Sequence, residues 1–313
     1  MEDAEECSTP GGGSVRMSRD RSPAMGGTHS SSAESDVNQD VPSTIGDPMR
    51  FSFLGPFEIT VDDGRPFTLR SPKVRQVLTL LLVQPNDVVP VETLMKELWG
   101  ENPPRSSLTT LQTYIYHARK AFAREGASAH RELLVTSPPG YRMDVQGHEV
   151  DGIEFEELVN RGRAEFREGE DERASRHLRK ALGMCRGRIL ANIETGEVLA
   201  AHVAYLEELR LRATELAIEA EIRLGRHREL IPELRTLVKE HPLNEWFHAQ
   251  LISILGVSGR RGEALKAYQD LRGILDDELG LEPSDELQRL QYEVLNSKGT
   301  PGSQPLPVFS AVE

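Results

Sequence analysis

Apolar positions between residues 51 and 145 change their period several times, and each change predicts a different element. From Phe51 to Thr68 the apolar residues Phe51, Phe53, Phe57, Ile59 and Val61 fall in short runs broken by Gly55-Pro56 and Asp62-Asp63-Gly64, which predicts strands. The spacing then lengthens. Val74, Val77, Leu78, Leu81 and Leu82 form the stripe of a first helix, with Pro72 in its N-terminal turn and Pro85-Asn86-Asp87 ending it. A second helix is predicted from about Val91 to Trp99, stopped by Gly100. Pro103-Pro104 breaks the chain before a third, whose stripe is Leu108, Leu111, Ile115, Ala118 and Phe122. Leu133–Thr136 and Tyr141–Val145, joined through Ser137-Pro138-Pro139-Gly140, then read as a hairpin. A small sheet, three helices and a hairpin in that order describe an α+β winged helix with an N-terminal sheet, over residues 49–147.

From Asp151 to Asn296 the pattern is helical throughout, and it repeats. Gly225-Arg226 and Gly259-Arg260 lie 34 residues apart, the tetratricopeptide period. Counting from each glycine, offset 5 holds Leu230 and Ala264, offset 9 Leu234 and Tyr268, and offset 12 Leu237 and Leu271. Gly169 opens a third copy with Ala174, Leu178 and Ala181, displaced by an insert around Ile189–Val198. Such copies bury their apolar faces only by stacking, so residues 150–296 are expected to form an all-α superhelical repeat domain with a concave side. Leu281-Glu282-Pro283-Ser284 introduces a last helix, capped by Ser284, with Leu287, Leu290 and Val294 inward.

The third helix carries the chemistry. Opposite its stripe lie Ser106, Thr109, Thr110, Thr113, Tyr116, His117, Lys120 and Arg124, and no carboxylate occurs between Ser106 and Arg124. A merely solvated face mixes acids with bases; this one is suited to a polyanion. The whole-chain charge of -13 argues otherwise only until it is divided. Residues 1–48 hold three Arg against nine carboxylates, residues 49–149 hold twelve bases against eleven acids, and the acidity therefore lies outside the winged helix. Thr109, Thr110 and Thr113 offer hydroxyls and methyls to base edges, whereas Tyr116, His117, Lys120 and Arg124 lie further along, toward the backbone. Arg142 on the hairpin, Arg105 before the third helix, and Lys73 and Arg75 at the start of the first are candidate phosphate contacts. Arg119, flanking the stripe, is expected to pair with a carboxylate.

Other chemistries find no support in the pattern. The 38% hydrophobic and 5% aromatic content predicts cores of Leu, Val, Ile and Ala. Cys7 and Cys185 make no disulfide framework, and nine scattered histidines lack metal spacing; His177 and Cys185 read as packing residues. Asp36-x-Asn38-x-Asp40 resembles the start of a calcium loop, but Val41 stands where glycine is needed and Asp47 where a bidentate Glu belongs. No nucleophile elbow, phosphate-binding loop, secretory leader or membrane span is visible, so neither enzyme, cofactor nor metal is expected, and the expected location is cytoplasmic. The Ser-, Gly- and Pro-rich residues 1–48 and the stretch 297–313 read as disordered tails.

Taken in order, Leu54-Gly55-Pro56, Leu98-Trp99-Gly100, Thr110-Leu111-Gln112-Thr113-Tyr114-Ile115, Pro138-Pro139-Gly140-Tyr141, Leu224-Gly225-Arg226-His227-Arg228-Glu229-Leu230, Glu240-His241-Pro242-Leu243 and Asp277-Glu278-Leu279-Gly280-Leu281-Glu282-Pro283-Ser284 resemble the Streptomyces antibiotic regulatory proteins. The likeness runs from about Phe51 to Leu295. It implies an OmpR-like winged helix followed by a bacterial transcriptional activation domain of tetratricopeptide type. Three departures stand out. Ala118 and Ala121 replace bulkier residues, Gly183-Met184-Cys185 replaces a Leu- and Trp-containing helix end, and neither an ATPase module nor a phosphopeptide-binding domain is expected.

The resemblance implies an activator of antibiotic biosynthetic genes that binds direct repeats in double-stranded DNA. Its protomers would sit head to tail as a homodimer, and its helical domain would recruit RNA polymerase holoenzyme. The alternative is a helical-repeat scaffold whose winged helix contacts protein rather than DNA.

Overall fold

The computed structural model describes residues 48–61, 64–124 and 133–296. Cys7, the calcium-like stretch and both proposed tails lie outside them. The chain opens with β1 (Met49–Ser52), β2 (Glu58–Val61) and β3 (Arg65–Pro66), an antiparallel meander in which Phe51 stands opposite Ile59. β7 (Glu149–Val150), a two-residue strand, pairs parallel with the other edge of β1 and completes the order β3-β2-β1-β7.

α1 (Pro72–Leu82) starts where Ser71 accepts the Val74 amide, and it buries Val74, Val77, Leu78, Leu80, Leu81 and Leu82. β4 (Val89–Pro90), α2 (Val91–Trp99) and α3 (Ser107–Arg124) follow, then β5 (Leu134–Ser137) and β6 (Gly140–Met143). The hairpin is tighter than its sequence suggests, because pairing of Ser137 with Gly140 leaves only Pro138-Pro139 to turn. It also gains a third strand: β4 pairs with β6, giving the order β4-β6-β5. Leu108 departs from expectation. It stands at 48% exposure, while Leu111, Ile115, Ala118 and Phe122 are buried. At about 100° per residue it lies on the edge of that stripe, and the buried position at that end of the helix is Ser107 instead.

The helical part is three antiparallel pairs and a closing helix: α4 (Asp151–Arg167) with α5 (Asp171–Gly183), α6 (Glu197–Arg223) with α7 (His227–Glu240), α8 (Glu245–Val257) with α9 (Arg261–Leu279), then α10 (Asp285–Asn296). Gly169, Gly225 and Gly259 occupy the three equivalent turns, with φ of 79°, 76° and 76°. Only glycine enters that region without a steric cost, which explains the 34-residue recurrence. The residues at offsets 5, 9 and 12 face inward as the repeat requires, Leu237 being half-buried and the others buried. His177 is not simply a packing residue: its Nδ1 lies 2.6 Å from Glu165 Oε2 across the α4–α5 pair.

Packing does not divide where the pattern changes from winged helix to repeat. One core runs without interruption from Met49 through α3, the hairpin, α4 and α5 to Ala220 in α6. A second begins at Ile218 and holds α7 to α10. Within it, His248 is 4% exposed and its Nε2 lies 3.1 Å from the Pro242 carbonyl, so the neutral ring donates there. Burial pushes its pKa below the ordinary 6.5. The folded state thus binds fewer protons than the unfolded chain below pH 6.5, and stability falls as pH drops from there toward the depressed value. Thermal denaturation between pH 7.5 and 5 is expected to show that decline, and His248→Gln to lessen it, since burial lowers the pKa of His202 in the same direction.

Candidate nucleic-acid interface

Three elements hold α3. Trp99 at the end of α2 stacks on Tyr114, with ring centroids 6.4 Å apart, and Phe67 stacks on Phe122 at 5.3 Å. On the hairpin side Arg119 donates from Nε and Nη2 to the Leu134 carbonyl (3.0 and 2.8 Å) and from Nη2 to Thr136 Oγ1 (2.8 Å). Among the described residues Arg119 therefore pairs with a strand carbonyl, and no carboxylate is found against it. The reason is geometric: its guanidinium meets the C=O groups of β5, and the neighbouring strand offers no acid there. The contact fixes the hairpin against the helix, so that the two move as one surface.

On the opposite side Ser106, Thr109, Thr113, Tyr116, His117, Lys120 and Arg124 are exposed and Thr110 is half-exposed. Thr110 Oγ1 donates to the Ser106 carbonyl (2.9 Å) and Thr113 Oγ1 to the Thr109 carbonyl (2.8 Å). With their protons spent inside the helix, these hydroxyls present acceptor lone pairs and methyl groups outward. Lys120 Nζ sits 5.8 Å over the Tyr116 ring, and that ring lies edge-on to His117 at 5.6 Å.

Some cations of the chain are held by carboxylates and others are not. In the helical part, Arg179 clasps Glu221 at 2.8 Å and Glu233 at 2.5 Å, and Arg212, Arg223, Arg226, Arg235, Arg260 and Arg272 each hold a carboxylate. Among the described residues, Arg75, Arg105, Lys120, Arg124 and Arg142 hold none. The Nε atoms of Arg75 and Arg142 are buried without a hydrogen-bond partner. Lys73 stands apart from this set. Its ammonium is held by Glu194 at 2.9 Å and by Gln76 and the Leu98 carbonyl, so its charge is already committed to the loop before α6.

Sequence reasoning missed the groups that join this surface to the helical part. Asp151, 3% exposed at the start of α4, accepts the Phe53 amide at 2.8 Å and the Leu54 amide at 3.1 Å. Burial pushes its carboxyl up, against the opposing effect of those amides. Glu97 of α2, also 3% exposed, accepts the amides of Gly196, Val198 and Leu199 at 2.6, 2.9 and 3.3 Å. The 184–196 insert lies on the N-terminal sheet: Arg186 donates its amide to the Leu54 carbonyl, and Asn192 both accepts from and donates to the Phe57 backbone. Cys185 at its start is half-buried, and burial raises its thiol pKa. No group of acids, histidines and cysteines among the described residues could hold a metal ion, and no helix among them is long and apolar enough to cross a membrane.

Comparison with known proteins gives this arrangement its relatives. Residues 64–143 match the model for "Transcriptional regulatory protein, C terminal", and residues 150–295 match "Bacterial transcriptional activator domain". The regulatory protein DnrI of Streptomyces peucetius is 41% identical over 253 residues, covering 80% of this chain and 93% of that protein. The transcriptional regulatory protein EmbR of Mycobacterium tuberculosis is 33% identical over 256 residues, covering 82% of this chain and 66% of EmbR. A solved structure of M. tuberculosis EmbR, in complex with a low-affinity phosphopeptide, superposes with a TM-score of 0.74 at 32% identity, over 84% of this chain and 67% of that one.

Proposed function

We propose that this chain, which belongs to the Streptomyces antibiotic regulatory protein family of transcriptional regulators, seats α3 in the major groove of promoter DNA and presents its helical part to RNA polymerase. The winged helix over 49–147 is the DNA-binding domain, and residues 150–296 form the activator domain. Two protomers lie head to tail on direct repeats about one helical turn apart. The observation that carries this reading is the exposed face of α3, which holds Lys120 and Arg124 and not one carboxylate in a chain of net charge -13. Around it Arg75, Arg105 and Arg142 hold no carboxylate among the described residues.

Each role follows from position. The N-terminal half of α3, with Ser106, Thr109, Thr110 and Thr113, meets base edges. Tyr116, His117, Lys120 and Arg124 follow the backbone, and Arg142 carries the hairpin to the flanking phosphates. Lys73 contributes to DNA only if its pair with Glu194 opens. Arg75, Arg105, Lys120, Arg124 and Arg142 set the expected salt dependence. At about 0.9 released counterions per phosphate contact, log K should fall against log salt with a slope of roughly -4 to -5 per protomer.

Titrating the full chain onto its own neighbouring promoters from 50 to 300 mM salt tests this. Lys120→Ala should reduce the slope by about one and weaken all sequences alike, whereas Thr113→Val should change which sequences are preferred. A flat salt response, or equal affinity for promoter repeats and random duplex, would overturn the reading in favour of a protein-binding scaffold.

A further inference from the structure

We propose that Gln112 and Leu108 of α3 are specificity-determining residues, Gln112 reading an adenine and Leu108 the methyl group of a neighbouring thymine; this rests on the DNA-binding reading above. Base discrimination in the major groove is strongest where one side chain makes two hydrogen bonds to one base: Arg to guanine, or Asn and Gln to adenine. Few groups on α3 can do so. Arg119 has spent its guanidinium on the Leu134 carbonyl and Thr136. Lys120 is a single point charge held over the Tyr116 ring, and Arg124 lies in the last turn, where the helix has run past the base edges. Thr110 and Thr113 have no proton left to donate.

Gln112 is the one side-chain amide in α3. It is exposed, lies within the first two turns, and makes no side-chain hydrogen bond among the described residues. Its carbonyl and NH2 face outward as a free acceptor and donor in one plane, which is the complement of adenine N6 and N7.

Leu108 supplies the second observation. It precedes Gln112 by one turn and, at about 100° per residue, is offset from it by roughly 40° around the axis, so the two side chains stand side by side. At 48% exposure it is a large aliphatic side chain standing half open on a mainly polar surface. In a groove its natural contact is the one apolar group that base edges display there, the thymine methyl. Leu108 and Gln112 together therefore favour an A·T-containing step at the centre of each half-site.

The experiment starts from an operator selected by the full chain out of randomised duplex. Each adenine is replaced in turn by 7-deazaadenine, which lacks the N7 acceptor, and each thymine by deoxyuridine, which lacks the methyl. For the wild-type protein one adenine per half-site should lose roughly 5- to 100-fold in affinity, the range of a good bidentate contact. One thymine beside it should lose about fourfold, the burial of a single methyl. Gln112→Ala should be indifferent to the 7-deaza change and Leu108→Ala to the uridine change, each retaining the other's sensitivity. Both positions are exposed, so the folded state tolerates the substitutions. If no adenine is sensitive in the wild type, or if Gln112→Ala keeps the same sensitive adenine, the proposal is wrong while DNA binding stands. If the wild type enriches no sequence at all, the DNA reading itself falls.

Discussion

Asp151→Ala is expected to lower the stability of the folded chain by about 3–5 kcal/mol, the magnitude seen when one partner is removed from a buried, hydrogen-bonded ionic contact. The cost follows from what the carboxylate leaves behind. The amides of Phe53 and Leu54 point into a site that is almost wholly enclosed, and each buried N–H without a partner costs about 1–3 kcal/mol. Asp151 also stands in the first turn of α4, where a negative charge meets the positive end of the helix dipole. Arg186 lies 3.8 Å away and would lose the acid that its position shares with Glu58. Asp151→Asn should fall between wild type and alanine. One oxygen remains for the Phe53 amide, while its NH2 confronts the donor of Leu54. Urea denaturation at neutral pH measures both variants, and a loss below about 1 kcal/mol for alanine would show that water replaces the carboxylate.

The elements of the winged helix were legible because their buried stripes are long enough for a period to emerge: α1, α2 and the body of α3 lie where the apolar spacing puts them. The repeat was legible because a left-handed turn admits glycine so selectively that Gly169, Gly225 and Gly259 mark it unaided. β4 and β7 were not, since two residues cannot display an alternation. Leu108 lies only at the edge of its stripe, and the covered side at that height holds the polar Ser107, which an apolar pattern does not mark. Gln112 is uncharged, so the charge pattern does not mark it; an amide stands out only where the neighbouring hydroxyls and guanidinia are already occupied. The contacts that join the two halves were the least visible. Asp151, Asn192 and Arg186 act on backbone about 100 residues or more away, and such pairings leave no local pattern. A faint signal did exist in α2. Glu97 sits between Leu94 and Leu98 on the apolar face, and a carboxylate on such a face needs a buried partner.

That partner makes Glu97→Ala the most informative change for function. The N-cap position before α6 is Gly196, which has no side chain with which to cap, so the helix takes its cap from α2. One Glu97 oxygen accepts the Gly196 amide and the other those of Val198 and Leu199, covering three of the four amides that a helix start leaves open. The approach is close enough that a Cβ on residue 196 would lie 2.5 Å from the Glu97 carbonyl oxygen and 2.8 Å from its carboxylate, which is why glycine stands there. Lys96 adds an exposed pair with Glu197 at 2.7 Å, worth far less in water. Removing the Glu97 carboxylate should cost roughly 3 kcal/mol, from three amides that are then only partly rehydrated. The loss should be local in its consequences. The Gln76–Glu97 backbone contact and the stacking of Trp99 on Tyr114 do not involve that carboxylate, so α3 keeps its support. Well below the melting temperature, Glu97→Ala should therefore bind promoter DNA with near-normal affinity and salt slope, while amide exchange at the start of α6 accelerates. Transcription from the same promoter should fall, because α6 is the element through which α2 holds the activator domain in a set orientation. DNA binding and transcription declining in parallel would instead mean that Glu97 supports only the winged helix, whereas loss of transcription with binding retained would mark this cap as the joint between recognition and activation.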